Sequence, residues 1–195
     1  PQSAALPLTV DTAAPAAPTG VTVTDDVAPV TGAIAANGAS NDNKPTFAGA
    51  AGSAEAGSTI TVMDGATVLG TAVVAADGSW SVTPTTALAD GAHSITTRAT
   101  DAAGNVSPVS PALALTVDTA APAAPAAPTS TAPSTNDNTP GIHIGVGLTD
   151  TPSLYVDGVK VPATYDPVTG TLTPTTPLGD GVHQFTTTLT DAAGN

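Results

Sequence analysis

The chain has 195 residues, fifteen Asp and one Glu against three Lys and Arg, a formal charge of −13 and no cysteine. These values exclude a generic nucleic-acid or anionic-membrane binder, which needs cations to neutralise phosphates, and they exclude disulfides and thiolate chemistry. Glu, Lys, Arg and Leu, the residues that fill helix surfaces, are scarce, whereas nineteen Gly, nineteen Pro and abundant Thr, Val and Ala point to short strands joined by turns.

In chain order, alternating runs predict strands over residues 21–24, 45–49, 59–63, 67–74, 80–83, 93–100 and 112–117. This regular alternation, with a positive mean hydropathy, argues against disorder. Asp64-Gly65 and Asp77-Gly78 are hairpin-turn signals, because Asp-Gly tolerates the positive φ of tight turns. Seven short strands in about 107 residues fit an immunoglobulin-like sandwich. Its expected core is Phe47, Ile60, Val62, Trp80, Val82, Ile95 and Leu115. The rest of the chain offers Ile142, Ile144, Leu154, Val156, Leu172, Phe185 and Leu189, with Gly170 where Trp80 stands, so a smaller core is expected there. Aromatic content is only 3%, and modest cores invite extra stabilisation by a metal ion.

The strongest signal is self-similarity. Asp-Thr-Ala-Ala-Pro-Ala-Ala-Pro at 11–18 recurs letter for letter at 118–125. Asn41-Asp42-Asn43-Lys44-Pro45 recurs as Asn136-Asp137-Asn138-Thr139-Pro140, and the sixteen residues 90–105 recur in modified form at 180–195. The offsets of 107, 95 and 90 residues make the second copy shorter, and the first loss removes the counterpart of residues 25–34. The expected organisation is all-β, with two tandem Ig-like sandwiches at 11–117 and 118–195, the second lacking its own last strand. Residues 1–10 read as the last strand of a preceding or neighbouring domain, since Leu8-Thr9-Val10 before Asp11 repeats Leu115-Thr116-Val117 before Asp118. The 195 residues thus read as one period of a longer array. The other reading is that residues 1–10 donate a strand to a neighbouring molecule in a self-assembling filament. The Ala/Pro-rich stretch 118–125 favours a stiff, extended connection.

The marks Val-Asp-Thr-x-Ala-Pro, Asn-Asp-Asn-x-Pro-Thr, Asp-Gly-x-His and Asp-Ala-Ala-Gly-Asn resemble the bacterial Ig-like repeats of giant secreted adhesins, of the biofilm-associated and RTX-adhesin type. The resemblance covers essentially the whole chain. It implies calcium-stiffened rods that hold an adhesive tip away from the bacterial cell surface, an extracellular location reached by a type I secretion route, and neighbouring Ig-like repeats of the same chain or filament as partners.

Calcium takes six to eight oxygens from carboxylates, amides, backbone carbonyls and water. In an Ig topology the loop after the sixth strand lies at the end where the first strand starts. That places Asp11 beside Asp101 and Asn105, and Asp118 beside Asp191 and Asn195. The opposite end of each unit is expected to carry the Asn-Asp-Asn loop (Asn41, Asp42, Asn43; Asn136, Asp137, Asn138), with Asp25, Asp26 and Asp90 nearby in the first. Ca2+ is the expected cofactor, binding where one unit meets the next; the competing reading is that these residues only form turns. His93 and His183 occupy equivalent positions and read as structural. No Ser/His/Asp order, cysteine nucleophile or zinc spacing appears, and Gly145-Val146-Gly147 lies in an apparent strand with no helix after it, so no enzyme is expected. The leading expectation is a structural spacer in an adhesin or filament. A direct glycan- or cell-binding module is the runner-up, with no ligand that these residues identify.

Overall fold

The computed structural model describes residues 3–130 and 134–195. Pro1 and Gln2, at the start of the expected strand 1–10, lie outside the described residues. The chain divides into two compact units, Pro1–Thr119 and Ala120–Asn195.

Unit 1 is a sandwich of two sheets. One sheet orders the strands β2 (Gly32–Ala33), β1 (Thr22–Asp25), β4 (Thr46–Gly49) and β7 (Trp80–Val82); the other orders β3 (Ala39–Ser40), β9 (Leu113–Val117), β8 (Gly91–Thr100), β5 (Thr59–Asp64) and β6 (Thr67–Val73). All pairings are antiparallel except β3 with β9. The seven strands expected from alternation are present within one or two residues of their expected bounds. The two unexpected strands, β2 and β3, are two residues long, too short for a period to show. β2 folds back on β1 through the pairs Thr24↔Ala33 and Asp25↔Gly32, so the segment absent from the second unit forms an added edge strand.

The core of unit 1 lies between the sheets. All seven expected members are buried, and Val23, Val74, Leu88, Ala99 and Val117 join them. β1 and β7 alternate exposed and buried as a half-buried strand must.

Unit 2 has a smaller sandwich. One sheet orders β10 (Ile142–His143), β14 (Thr171–Pro174) and β13 (Ala163–Asp166); the other orders β12 (Val159–Val161), β11 (Thr151–Val156) and β15 (Phe185–Thr190). Thr129 extends the first sheet by a bridge to His143. The turn between β11 and β12 is the two-residue Asp157-Gly158, both at positive φ (52° and 81°), the geometry that twists a hairpin correctly.

Five residues form the buried core of unit 2: Ile142, Ile144, Leu154, Val156 and Leu172. Phe185 and Leu189, also expected inside, are only half-buried, because β15 is the outer strand of its sheet. The reduced core is not a simple loss of bulk. In unit 1 Trp80 lies opposite Gly49 across the sheet. At the equivalent cross-strand pair of unit 2, Ile144 donates its N–H to Gly170 O at 2.8 Å. Large and small have changed strands. A Cβ on Gly49 would meet the Trp80 indole and Ser53 Oγ, and one on Gly170 would lie 2.5 Å from the Gly145 carbonyl carbon.

Gly49→Ala therefore overpacks unit 1. The expected cost is about 1–3 kcal/mol. It is read as a lowered denaturation midpoint in Trp80 fluorescence, which reports unit 1 alone because Trp80 is the sole tryptophan.

Candidate cation-binding ends of the sandwiches

The ten residues of β8 separate Asp90 at one end of unit 1 from Asp101 at the other. At the Asp101 end the chain turns sharply out of β8. Asp101 Oδ1 accepts the N–H groups of Ala103 (2.9 Å) and Asn105 (2.8 Å), and its Oδ2 accepts Asn105 Nδ2 (2.8 Å). The same Nδ2 reaches Asp11 O at 3.1 Å. The expected trio does meet, but Asp11 joins through its backbone carbonyl, while its carboxylate accepts the N–H of Ala13 (2.9 Å). The side-chain hydrogen bond from Asn105, followed by the backbone N–H groups, holds the Asp101 carboxyl below the usual value. Asp11, Asp101 and Glu55 line a shallow groove of about 350 Å3.

Unit 2 repeats this turn. Asp191 Oδ1 accepts three N–H groups, from Ala193, Gly194 and Asn195, at 2.8–2.9 Å, and Oδ2 accepts Asn195 Nδ2 at 3.0 Å. Burial pushes the Asp191 carboxyl up, but these hydrogen bonds outweigh it and the net direction is down. In both units most carboxylate lone pairs are already given to donors in the turn. As cation ligands, Asp101 and Asp191 are therefore poorly poised.

The opposite end of unit 1 differs. Asp25 and Asp42 are buried, 5% and 3% exposed. Ser40 Oγ donates to Asp25 Oδ2 and itself accepts the N–H of Asp42 at 3.1 Å. Asp25 Oδ1 takes the Val27 N–H (2.7 Å), and Asp42 takes those of Lys44 (2.7 Å) and Asp26 (3.4 Å). Asn41 gives Nδ2 to Ala28 O, yet its Oδ1 is buried without a partner. Asn43 contributes its carbonyl to Leu88 N–H at 2.8 Å. Asp118 N–H donates to Ser40 O at 3.0 Å, and Asp90 accepts the N–H and hydroxyl of Thr119 at 3.1 and 2.9 Å. Asp25, Asp26, Asp42 and Asp90 thus gather at this end, as the spacing predicts. Two buried carboxylates without a Lys or Arg partner, beside an unpaired amide oxygen, form an all-oxygen donor set that suits a hard divalent cation. Among the described residues no three acidic or imidazole groups converge closely enough to hold a metal by themselves, so amide and carbonyl oxygens would have to complete the shell.

In unit 2 the Asn-Asp-Asn loop keeps the turn and loses the cluster. Asp137 donates its N–H to Thr135 Oγ1 (3.0 Å) and accepts the N–H of Thr139 (2.9 Å), while Asn138 O accepts from Leu178 (2.7 Å). These bonds copy those of Ser40, Asp42, Lys44 and Leu88. Asn136 and Asp137 are nevertheless exposed, and no counterpart of Asp25 is present in the shorter sequence.

A second repeated constellation was not foreseen. His93 Nδ1 lies 2.7 Å from Asp64 Oδ2 and Nε2 lies 2.8 Å from Ala89 O; His183 makes the same pair of contacts with Asp157 (2.7 Å) and Gly179 (3.0 Å). The same carboxylates accept the N–H of Ser94 and Gln184. A carbonyl and an ionised carboxylate only accept, so an imidazole satisfies both when it carries both protons. Burial works against the charge on His93, but the hydrogen bond and charge of Asp64 outweigh it, and the pKa rises. Hydrogen bonding to Asp157 raises that of His183. Asp157 is held down first by the N–H of Gln184 and then by His183. The signal in the sequence was the Asp-Gly turn preceding each Asp-Gly-x-His mark, which reads as a turn former alone.

Residues 17–119 match the bacterial Ig-like domain family, and no curated protein matches the chain. Domains of this family are typically structural repeats at the bacterial surface or outside the cell.

The raised histidine pKa values set a pH window. Stabilisation from each His–Asp clamp is fully present below the unfolded histidine value of 6.5 and is lost as pH rises through the higher folded value; at the acid end, that of Asp157 is lost as pH falls through its depressed value below 3.8. The expected result is a thermal midpoint of unit 1 that declines from pH 6.5 upward, and a flatter profile in His93→Gln, both followed by Trp80 fluorescence.

Proposed function

We propose that this chain, which belongs to the bacterial Ig-like domain family, is a structural spacer: a stalk repeat of an extracellular adhesin or filament that supports attachment and biofilm formation. The observation that carries the reading is what the two units repeat. Asp101–Asn105 with Asp191–Asn195, Ser40–Asp42 with Thr135–Asp137, and Asp64–His93 with Asp157–His183 all tie down the chain's own backbone. The duplicated polar residues serve architecture, as a repeat whose task is to keep its form requires. No helix of the described residues is long and apolar enough to cross a membrane. The chain is read as non-catalytic, in keeping with its family.

Within this reading Ca2+ binds at the Asp25, Asn41 and Asp42 end of unit 1 and stiffens it. The ion would neutralise two buried carboxylates and supply a partner for Asn41 Oδ1; Asp26, Asn43 and Asp90 lie at the same end of the unit. The second unit, with exposed Asp137 and no counterpart of Asp25, binds more weakly.

The test compares thermal melting in Ca2+ and in a chelator. With a dissociation constant of about 10 µM, 1 mM Ca2+ adds roughly 2.7 kcal/mol, or about 10 °C or more in a domain of this size. Asp42→Asn is expected to abolish that shift in unit 1. An identical melt with and without the ion overturns the calcium reading and leaves the spacer intact. Reproducible binding of the fragment on a glycan array would instead make it a direct adhesive module.

A further inference from the structure

The run Leu-x-Asp-Gly-x-His stands at 88–93 and again at 178–183, and in both units its histidine doubles back on the loop that precedes it. His93 Nε2 lies 2.8 Å from Ala89 O while Nδ1 lies 2.7 Å from Asp64 Oδ2; His183 spans Gly179 O and Asp157 Oδ2 at 3.0 and 2.7 Å. One residue before each of these carbonyls, a leucine N–H donates to the Asn-Asp-Asn loop. Leu88 bonds Asn43 O at 2.8 Å, and Leu178 bonds Asn138 O at 2.7 Å. Leu88 also carries its side chain into the core, at 7% exposure. Each unit therefore holds one continuous path, from an Asp-Gly turn through an imidazole to the loop before β8 or β15, and on to the Asn-Asp-Asn loop.

The carboxylate end of this path is fixed independently of the ring, because Asp64 Oδ1 takes the N–H of Ser94 at 3.0 Å and Asp157 Oδ1 that of Gln184 at 2.8 Å. An imidazole with both protons donates to carboxylate and carbonyl alike. A neutral ring has a single N–H, and its other nitrogen presents a lone pair. A hydrogen bond to an ionised carboxylate is roughly twice as strong as one to a neutral carbonyl, so the remaining proton stays on Nδ1. Nε2 then faces the loop carbonyl acceptor to acceptor, at a separation that only a hydrogen bond tolerates. The charged group facing the His93 ring is Asp64, from the end of β5. Opposite, β9 sets the apolar Leu115, β6 pairs Thr67 with Asp64, and Asp90 of the loop is engaged by Thr119. Around His183 stand Asp157, Asp180 of its own loop and Asp137 of the Asn-Asp-Asn loop. Every charge named is negative and favours the protonated ring.

We propose that His93 and His183 are proton-operated latches: with both protons the ring ties the loop to the Asp-Gly turn, and loss of the Nε2 proton releases residues 88–90 and 178–180 while the bond to the carboxylate holds. The release is local. Leu88 sits next to the freed carbonyl, so its N–H bond to Asn43 O opens with the loop, and the Asn-Asp-Asn loop loses that anchor; Leu178 and Asn138 do the same in the second unit. Local openings of this kind draw on loops at the ends of a sandwich and leave the central strands paired. The sign follows from the folded histidines. Their raised pKa keeps the latch shut through pH 6.5, and it opens as pH rises past the folded value. The latch draws on no cation and stands apart from the calcium reading.

Amide hydrogen exchange on the 195-residue chain, followed from about pH 5.5 to about pH 8.5 and corrected for the intrinsic pH dependence of exchange, reads the latch directly. As pH rises, protection of the Leu88 and Leu178 amides is expected to fall at least about threefold relative to Ile60 and Leu154 in the cores of their own units. His93→Gln is expected to flatten the Leu88 profile and leave that of Leu178 as it was, and His183→Gln to do the reverse. Nitrogen NMR of the wild-type imidazoles gives a readout that needs no variant: the neutral rings are expected to carry their proton on Nδ1. The proposal is overturned by Leu88 protection that tracks Ile60 across the whole range, or by neutral rings protonated on Nε2, which would keep the carbonyl bond.

Discussion

The fold depends on satisfying backbone N–H groups at the points where the strand ladders stop. A buried or half-buried N–H without an acceptor costs as much as a lost hydrogen bond. With 3% aromatic residues and cores of modest size, this chain cannot absorb many such losses. It answers with aspartate. Asp191 collects three N–H groups on one oxygen, Asp101 two, and Asp25, Asp77 and Asp166 each hold the N–H two residues on. Asp suits this task because its carboxylate sits one carbon from the backbone and closes the local ring, whereas Glu reaches past it. The fifteen-to-one ratio of Asp to Glu follows from that geometry, and so does much of the negative charge.

The same residues therefore bear two possible duties. A carboxylate that has given its lone pairs to N–H donors has little left for a cation, and Asp101 and Asp191 are of that kind. Asp25 and Asp42 differ because they are buried together, share the Ser40 hydroxyl and lie beside an amide oxygen without a donor. The difference between the ends is one of burial and neighbours rather than of residue type. The insertion that supplies Asp25, Asp26 and strand β2 is what creates it.

Alternation made the long strands legible, because Ile60, Val62 and Ile95 recur at the period of a half-buried strand. Strands β2 and β3 were not legible, being two residues long and defined by their partners. Ala99 stands on the buried face of β8 at the spacing of Ile95, whereas Leu88, outside any strand, entered the core through topology that no local window contains. At the candidate sites the sequence order placed Asp11 with Asp101 and Asn105, and Asp25 and Asp26 with Asp42, since that follows from strand connectivity alone. It could not predict that Asp11 would join Asn105 through its carbonyl, or that Asp25 and Asp42 would be buried, because those outcomes turn on side-chain direction. The partners of His93 and His183 were hidden for the opposite reason: Asp64 already had a sufficient explanation as a turn residue, and Asp157 stands at the equivalent turn of the second unit.

The exchange of bulk between Trp80–Gly49 and Ile144–Gly170 has a consequence for a polypeptide made of near-copies. Adjacent repeats with similar strands risk trading them while they fold, producing chimeric beads that are stable and wrong. Here the trade fails in both directions. β4 offered to β14 would set glycine on glycine and leave a hole, and β10 offered to β7 would drive an isoleucine into an indole. Each bead thereby recognises its own strands by steric lock, which lets a polypeptide carry sister domains side by side without scrambling them.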